Sequence, residues 1–201
     1  MATVTASNHS SAFEDAPYPI TADDFTAMID RGVFPDDRRV FLWDGRLFEK
    51  MAKSKPHAVV QDMFSQAIAR RLPPGMFIGH EHPVQLDATH LPLPDVMVAR
   101  GRGFDFYEDR HPDGRDVLLV IEVAVTSLAE DLGDRLDRYS RTLPLATYIV
   151  ADIPNRRLLV HTGPKGDGGY DSCEIVGPGQ SVVIRLGDVA LEPIPYDEVM
   201  R

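Results

Sequence analysis

The segment that decides the fold runs from Leu118 to Tyr139, LLVIEVAVTSLAEDLGDRLDRY. Its first part belongs to a run, Val117 to Val125, that is almost entirely apolar apart from Glu122. Such a run suits a central strand covered on both faces, because a strand with one wet face alternates polar and apolar residues. The second part changes period. Leu128, Leu132, Leu136, Tyr139 and Leu143 form one narrow stripe, as expected for a helix over about Ser127 to Arg141 laid against a sheet.

Upstream, Thr21 is a plausible N-cap for a helix to about Arg31, with Phe25, Met28 and Ile29 on one face and Gly32 as its stop. Val40 to Trp43 and Arg46 to Glu49 flank Asp44-Gly45, the strongest short signal for a two-residue hairpin turn. A second helix is expected from about Pro56, with Val60, Phe64, Ala67, Ile68 and Leu72 at helical spacing, ended by Pro73-Pro74-Gly75. Short strands are expected at Met76–Gly79, Pro83–Leu86 and Asp95–Ala99, followed by a polar, mobile loop from Arg100 to Asp116. Downstream of the central helix, strands are expected at Thr147–Val150 and Arg157–Val160. A turn over Gly163–Gly169, strands at Tyr170–Val176 and Val182–Leu186, and a short helix at Tyr196–Met200 complete the chain. The order implies an α/β protein: a mixed central sheet flanked by helices, with an N-terminal helix and hairpin and extra C-terminal strands.

The chain has 201 residues, which suits one domain over 18–201, and residues 1–17 read as a loose tail without the basic and apolar regions of a signal peptide. No apolar run is long enough for a membrane span. A lone cysteine, Cys173, excludes an internal disulfide and a cysteine-based zinc cluster, and a reducing cytoplasm is expected. The net charge of -10 argues against a broad basic surface for nucleic acid, although a metal-dependent nuclease concentrates acid at its site. The basic residues divide into 17 Arg and only 4 Lys, at positions 50, 53, 55 and 165.

Glu122 raises the functional question. An ionised carboxylate inside an apolar strand is expensive unless it is paired or bound to a cation. Asp95, just after Pro94, begins another strand. Two carboxylates at adjacent strand ends make a hard, oxygen-rich site of the kind Mg²⁺ takes together with water and substrate phosphate. The residues alone also admit a plainer reading, in which Glu122 ends its strand in solvent or pairs with an arginine.

The quoted segment resembles the Uma-type family of putative restriction endonucleases, a bacterial branch of the PD-(D/E)XK nuclease superfamily. The likeness rests on Glu122-Val123-Ala124 and the helix after it, and the order of the rest agrees: the Asp44-Gly45 hairpin, His57 at a helix start, Pro94-Asp95, then Glu122. It covers roughly residues 18–200. It implies a restriction-endonuclease-like fold and Mg²⁺-dependent (or Mn²⁺-dependent) hydrolysis of DNA phosphodiester bonds. Asp95, Glu122 and the Val123 carbonyl would be metal ligands, with His57 near the site. A homodimer is expected on the same ground, since nuclease folds often use two sites for two strands.

The chain departs from that pattern. The superfamily lysine would fall at Ala124, and the position to which the Uma-type family moves it, on the following helix, holds Arg135. Arginine can offset phosphate charge but cannot act as a general base, because its pKa stays above about 12. At about 100° per residue, Arg135 borders the buried stripe, where its guanidinium can reach the carboxylate end of the sheet. Asp131-Arg135, Asp134-Arg138 and Asp137-Arg141 are equally well spaced for ordinary pairs on an exposed helix. Lys53 and Lys55, just before His57, are the expected sources of a substitute lysine. A second function therefore stands beside the first: a catalytically degenerate nuclease-fold module for binding or assembly. His80-Glu81-His82 offers two histidines on one strand face but no further ligands for a transition metal. Trp43 reads as hairpin core.

Overall fold

The structure, a computed structural model, describes residues 17–106 and 110–201. The expected tail thus lies almost wholly outside the described residues, as does the middle of the expected 100–116 loop. In chain order the main elements are α1 (Ala22–Asp30), β1 (Val40–Trp43), β2 (Arg46–Glu49), α2 (Lys55–Ala69), β3 (Met76–Gly79), β4 (Val96–Arg100), β5 (Val117–Ala124), α3 (Leu128–Asp131), α4 (Asp134–Thr142), β6 (Thr147–Asp152), β7 (Arg157–Pro164) and β8 (Tyr170–Val176). A run of two-residue strands and a short helix, Tyr196–Val199, end the chain.

Six strands form one sheet in the order β3-β4-β5-β6-β7-β8. Every neighbouring pair is antiparallel except β5 and β6, which are parallel and joined through α3 and α4. Because β5 lies in the middle, all eight of its residues are buried. On one face Phe64 and Ile68 of α2 pack with Val96, Val98, Leu119 and Ile121. The C-terminal segment completes that layer through Val182, Ile184, Tyr196 and Val199. On the other face Tyr139 of α4 and Leu143, which follows it, pack with Met97, Val120, Tyr148 and Val150. A small satellite cluster joins Phe25 of α1, Leu42 of the hairpin and Leu91.

Local chemistry explains the element starts. Thr21 and Asp24 make a reciprocal capping box at α1. Ser54 caps α2, with Pro56 in its first turn, where the missing N–H costs nothing. Asp44 and Gly45 take φ of 51° and 66°, as a type I′ turn demands, and the turn holds β1 and β2 in register from Val40↔Glu49 to Trp43↔Arg46.

Three expectations need correction. No strand spans Pro83–Leu86: Val84 and Leu86 donate to the carbonyls of Pro92 and His90, so this segment folds back on the chain leading to β4 rather than joining the sheet. The helix expected over Ser127–Arg141 is two helices, broken at Gly133, where a Cβ would stand 2.9 Å from the Ala129 carbonyl oxygen. The strand expected at Val182–Leu186 is split into Ser181–Val182 and Arg185–Leu186, which pair with different partners.

The hairpin turn can be tested directly. A Cβ on Gly45 would also meet the Pro19 Cβ at 2.8 Å. Gly45→Ala should therefore cost about 2 kcal/mol in urea unfolding, from the left-handed backbone and that contact together.

Candidate active site

The site begins with strand register. Val96 pairs with Ile121 in the antiparallel β4–β5 ladder, so Asp95, one residue earlier, stands opposite Glu122, one residue later. Both residues are 2% exposed. The Val123 N–H donates to Asp95 Oδ2 at 2.8 Å, and the Asp95 N–H approaches Glu122 Oε2 at 3.4 Å. Gln61 of α2 donates to the Asp95 carbonyl at 2.6 Å and accepts from Lys53.

Each carboxylate is compensated from elsewhere in the chain. Lys50, at the end of the hairpin, places Nζ 2.8 Å from Asp95 Oδ1 and donates to the Leu93 carbonyl at 2.6 Å. His57 Nε2 lies 3.0 Å from Asp95 Oδ2, while its Nδ1 is buried without a partner among the described residues. Arg135 Nη1 lies 3.2 Å from Glu122 Oε1 and 3.2 Å from Asp131 Oδ1. The Tyr139 hydroxyl donates to the same Glu122 oxygen at 3.0 Å. Asp131 is itself fully buried, accepts from Ser127 Oγ at 2.7 Å, and its carbonyl accepts from the Tyr148 hydroxyl.

Burial and charge separate the two acids. Burial alone would raise Asp95, but the hydrogen bond from His57 and the charge of Lys50 outweigh it and hold the carboxyl well below the usual carboxylate range. Burial pushes Glu122 up to about 7; the Arg135 charge opposes this and the Asp95 charge adds to it. Burial disfavours a charged Lys50, yet the charges of Glu122 and Asp95 raise it above the ordinary lysine value. Lys50 is therefore an ammonium, present as a charge rather than as a base.

The structure thus brings Asp95, Glu122, His57 and Arg135 together at one end of the sheet, on a cleft of about 480 Å³. The helix-border position of Arg135 does reach the acids. Of the three expected pairs on that helix, Asp131–Arg135 and Asp137–Arg141 form, whereas Arg138 turns to Asp87. The expected source of a lysine was misplaced: Lys53 sits on Glu81 and Gln61, Lys55 is exposed, and Lys50 meets Asp95. No spacing rule connects positions 50 and 95. Only the path of the hairpin across the strand ends does so.

Glu81 was also missed. The sequence His80-Glu81-His82 is a bend, not a strand, and Glu81 takes φ of 50°. That backbone, uncommon for a non-glycine residue, turns its carboxylate inward to Arg39, Lys50 and Lys53. Both histidines beside it are exposed, so the pair does not make a metal site.

Among the described residues no three His, Cys, Asp or Glu side chains close into a ready ligand cage. Mg²⁺ does not require one, since it commonly keeps its waters and takes one or two carboxylates. Glu122 Oε2, with a single long contact, retains capacity for a cation. The donor set therefore fits one divalent ion carried by two carboxylates.

A mixed sheet with an acidic pair at the end of its central strands is the architecture of restriction-endonuclease-like proteins. The family model Uma2, described as "Putative restriction endonuclease", matches residues 22–189. The chain belongs to that family, which is of nuclease type. Its fold is shared with the crystal structure of a putative nuclease belonging to DUF820 from Anabaena variabilis ATCC 29413. The two are 14% identical, with a TM-score of 0.61, over 90% of this chain and 97% of that one. No curated protein matches the chain. Among the described residues, no helix is long and apolar enough to cross a membrane.

The buried ion pairs make a stability prediction. Arg135→Met would leave Glu122 and Asp131 buried together without their shared cation, at a cost of about 3–5 kcal/mol. Burial raises both carboxyls, and a raised group contributes stability at low pH that is lost as the pH rises. Losing the Arg135 charge raises Glu122 further, so the deficit should be large at alkaline pH and shrink as the pH falls toward about 7. Urea unfolding in EDTA across that range is the measurement. Arg135→Lys, which keeps the charge, should lose much less.

Proposed function

We propose that the chain is a metal-dependent endonuclease that hydrolyses DNA phosphodiester bonds. The observation that supports this most directly is the pairing of two buried carboxylates, Asp95 and Glu122, on one cleft beside the cations Lys50, Lys53 and Arg135. Mg²⁺ or Mn²⁺ would be held by Asp95 and Glu122, with the Val123 carbonyl as a further ligand. A bound ion would supply a more acidic water and positive charge at the phosphate. The residues of the chain do the rest. Lys50 and Arg135 carry positive charge into the cleft and offset the charge that builds on the phosphate oxygens. His57 and the Val123 N–H hold Asp95 Oδ2 and fix the direction of that carboxylate. Tyr139 does the same for Glu122 Oε1.

A second reading, a degenerate module for binding or assembly, has its own support. Arg135 is already committed to Glu122 and Asp131, and Ala124 stands at the superfamily's lysine position. Lys50 weakens that objection, because an ammonium is present beside Asp95 without a lysine on β5.

Cleavage of plasmid DNA and of single-stranded DNA in Mg²⁺ or Mn²⁺ separates the two. The wild-type protein should cut at least one of these substrates, and Asp95→Ala or Glu122→Ala should each reduce the rate by about two orders of magnitude or more. Activity that survives both substitutions, or no cleavage by the wild type in either ion, would sink the hydrolase reading.

Ion binding can be read without activity. Mg²⁺ at about 100 times its Kd should stabilise the wild type by about 2.7 kcal/mol. The rise in melting temperature should be absent from Asp95→Ala.

A further inference from the structure

The hairpin presents an outer face that its own core does not use. Cross-strand partners point the same way, so Phe41, Trp43, Arg46 and Phe48 share one side, while Leu42 and Leu47 turn inward toward Phe25 and Leu91. Phe41 and Phe48 stack, with centroids 5.6 Å apart and planes at 26°. Phe48 is 44% exposed. Trp43, expected in the hairpin core, lies instead on this outer side, and with it they form one wall of a groove of about 280 Å³, faced by Glu130, Asp134 and Arg135. The groove shares Phe41, Phe48, Glu130 and Arg135 with the cleft over the acid pair, so it is a side branch of the same opening.

Charge is divided between the two parts. Arg135, Arg138 and Arg141 pair with Asp131, Asp87 and Asp137. That leaves Glu130 and Asp134 exposed and without a cationic partner among the described residues. Their wall repels phosphate. Lys50, Lys53 and Arg135 stand instead around Asp95, Glu81 and Glu122. A nucleotide has the matching division: an anionic phosphate and a flat, neutral base with amino donors at its edge. Aromatic faces bind any base by stacking, and a carboxylate accepts from an exocyclic amino group such as that of cytosine.

We propose that this groove is a nucleobase subsite and that the substrate is single-stranded DNA. With a phosphate over Asp95 and Glu122, a neighbouring base stacks on Phe48 and Phe41 and turns its edge to Glu130 or Asp134. Only an unpaired base can do this, so a single strand or an unpaired end fits and a continuous duplex does not. The inference rests on the phosphodiesterase reading for the kind of ligand and narrows it to one strand state.

The test is equilibrium binding of the full chain, in EDTA and again in Ca²⁺, to a short DNA strand carrying 2-aminopurine and to the same sequence as duplex. The single strand should bind more tightly, and its fluorescence should fall as the base stacks. Phe48→Ala should weaken that binding by roughly 5- to 150-fold and remove the quenching, and Phe48→Trp should restore both. Thermal melts check that each variant is folded. Equal or tighter binding of duplex, unchanged binding by Phe48→Ala, or no DNA binding in either condition overturns the proposal. Robust duplex cleavage indifferent to Phe48 overturns it too, while leaving the hydrolase reading intact. Phe48-dependent single-strand binding without cleavage in Mg²⁺ or Mn²⁺ does the reverse: the subsite stands and the hydrolase reading falls.

Discussion

Glu122 lies in a strand buried on both faces, and the antiparallel register of β4 on β5 sets Asp95 directly beside it. Two carboxylates so placed repel each other and have lost their water. Leaving buried charge uncompensated costs several kcal/mol, so the surrounding structure must supply cations and hydrogen-bond donors. It does so from three separate places: Lys50 after the hairpin, His57 on α2, and Arg135 and Tyr139 on α4. The N-terminal hairpin is therefore not an ornament on the sheet. It delivers one of the two cations that let the acid pair exist.

This compensation also defines what the site can do. Asp95 is held ionised, whereas Glu122 sits near the point at which it takes up a proton. A pair divided in this way, with two cations in contact, is near balance without a metal and has oxygens that a metal could use. Ala124 packs in the same layer as Tyr139, Leu143 and Tyr148. A lysine there would begin in that apolar layer, while Lys50 reaches Asp95 from outside the sheet.

Much of the fold was legible because local rules and tertiary needs agreed. Asp44-Gly45 specified its turn, the cap Thr21 and the first-turn Pro56 sit where their helices start, and the apolar run from Val117 is the covered strand that it suits. The misreadings occurred where they disagreed. Pro83–Leu86 has strand-like composition, but its N–H groups found partners in the chain at Pro92 and His90. Leu128 to Leu143 keeps helical spacing across Gly133, and the periodicity does not register the break. Tyr139 was legible as part of an apolar stripe, while its hydroxyl, which meets Glu122, carries no signal in that pattern.

The sequence by itself determined most of the elements, the lone acid in the central strand and the helix-border position of Arg135, because these follow from periods of two and about 3.6 residues. Only the tertiary structure decided that Lys50, rather than Lys53 or Lys55, meets Asp95, that Glu81 turns inward, and that Phe41 and Phe48 line the approach to the acids. Those contacts join residues far apart in the chain. Their geometry is set by how the hairpin, α2 and α4 pack around the strand ends, and spacing along one segment contains no term for that.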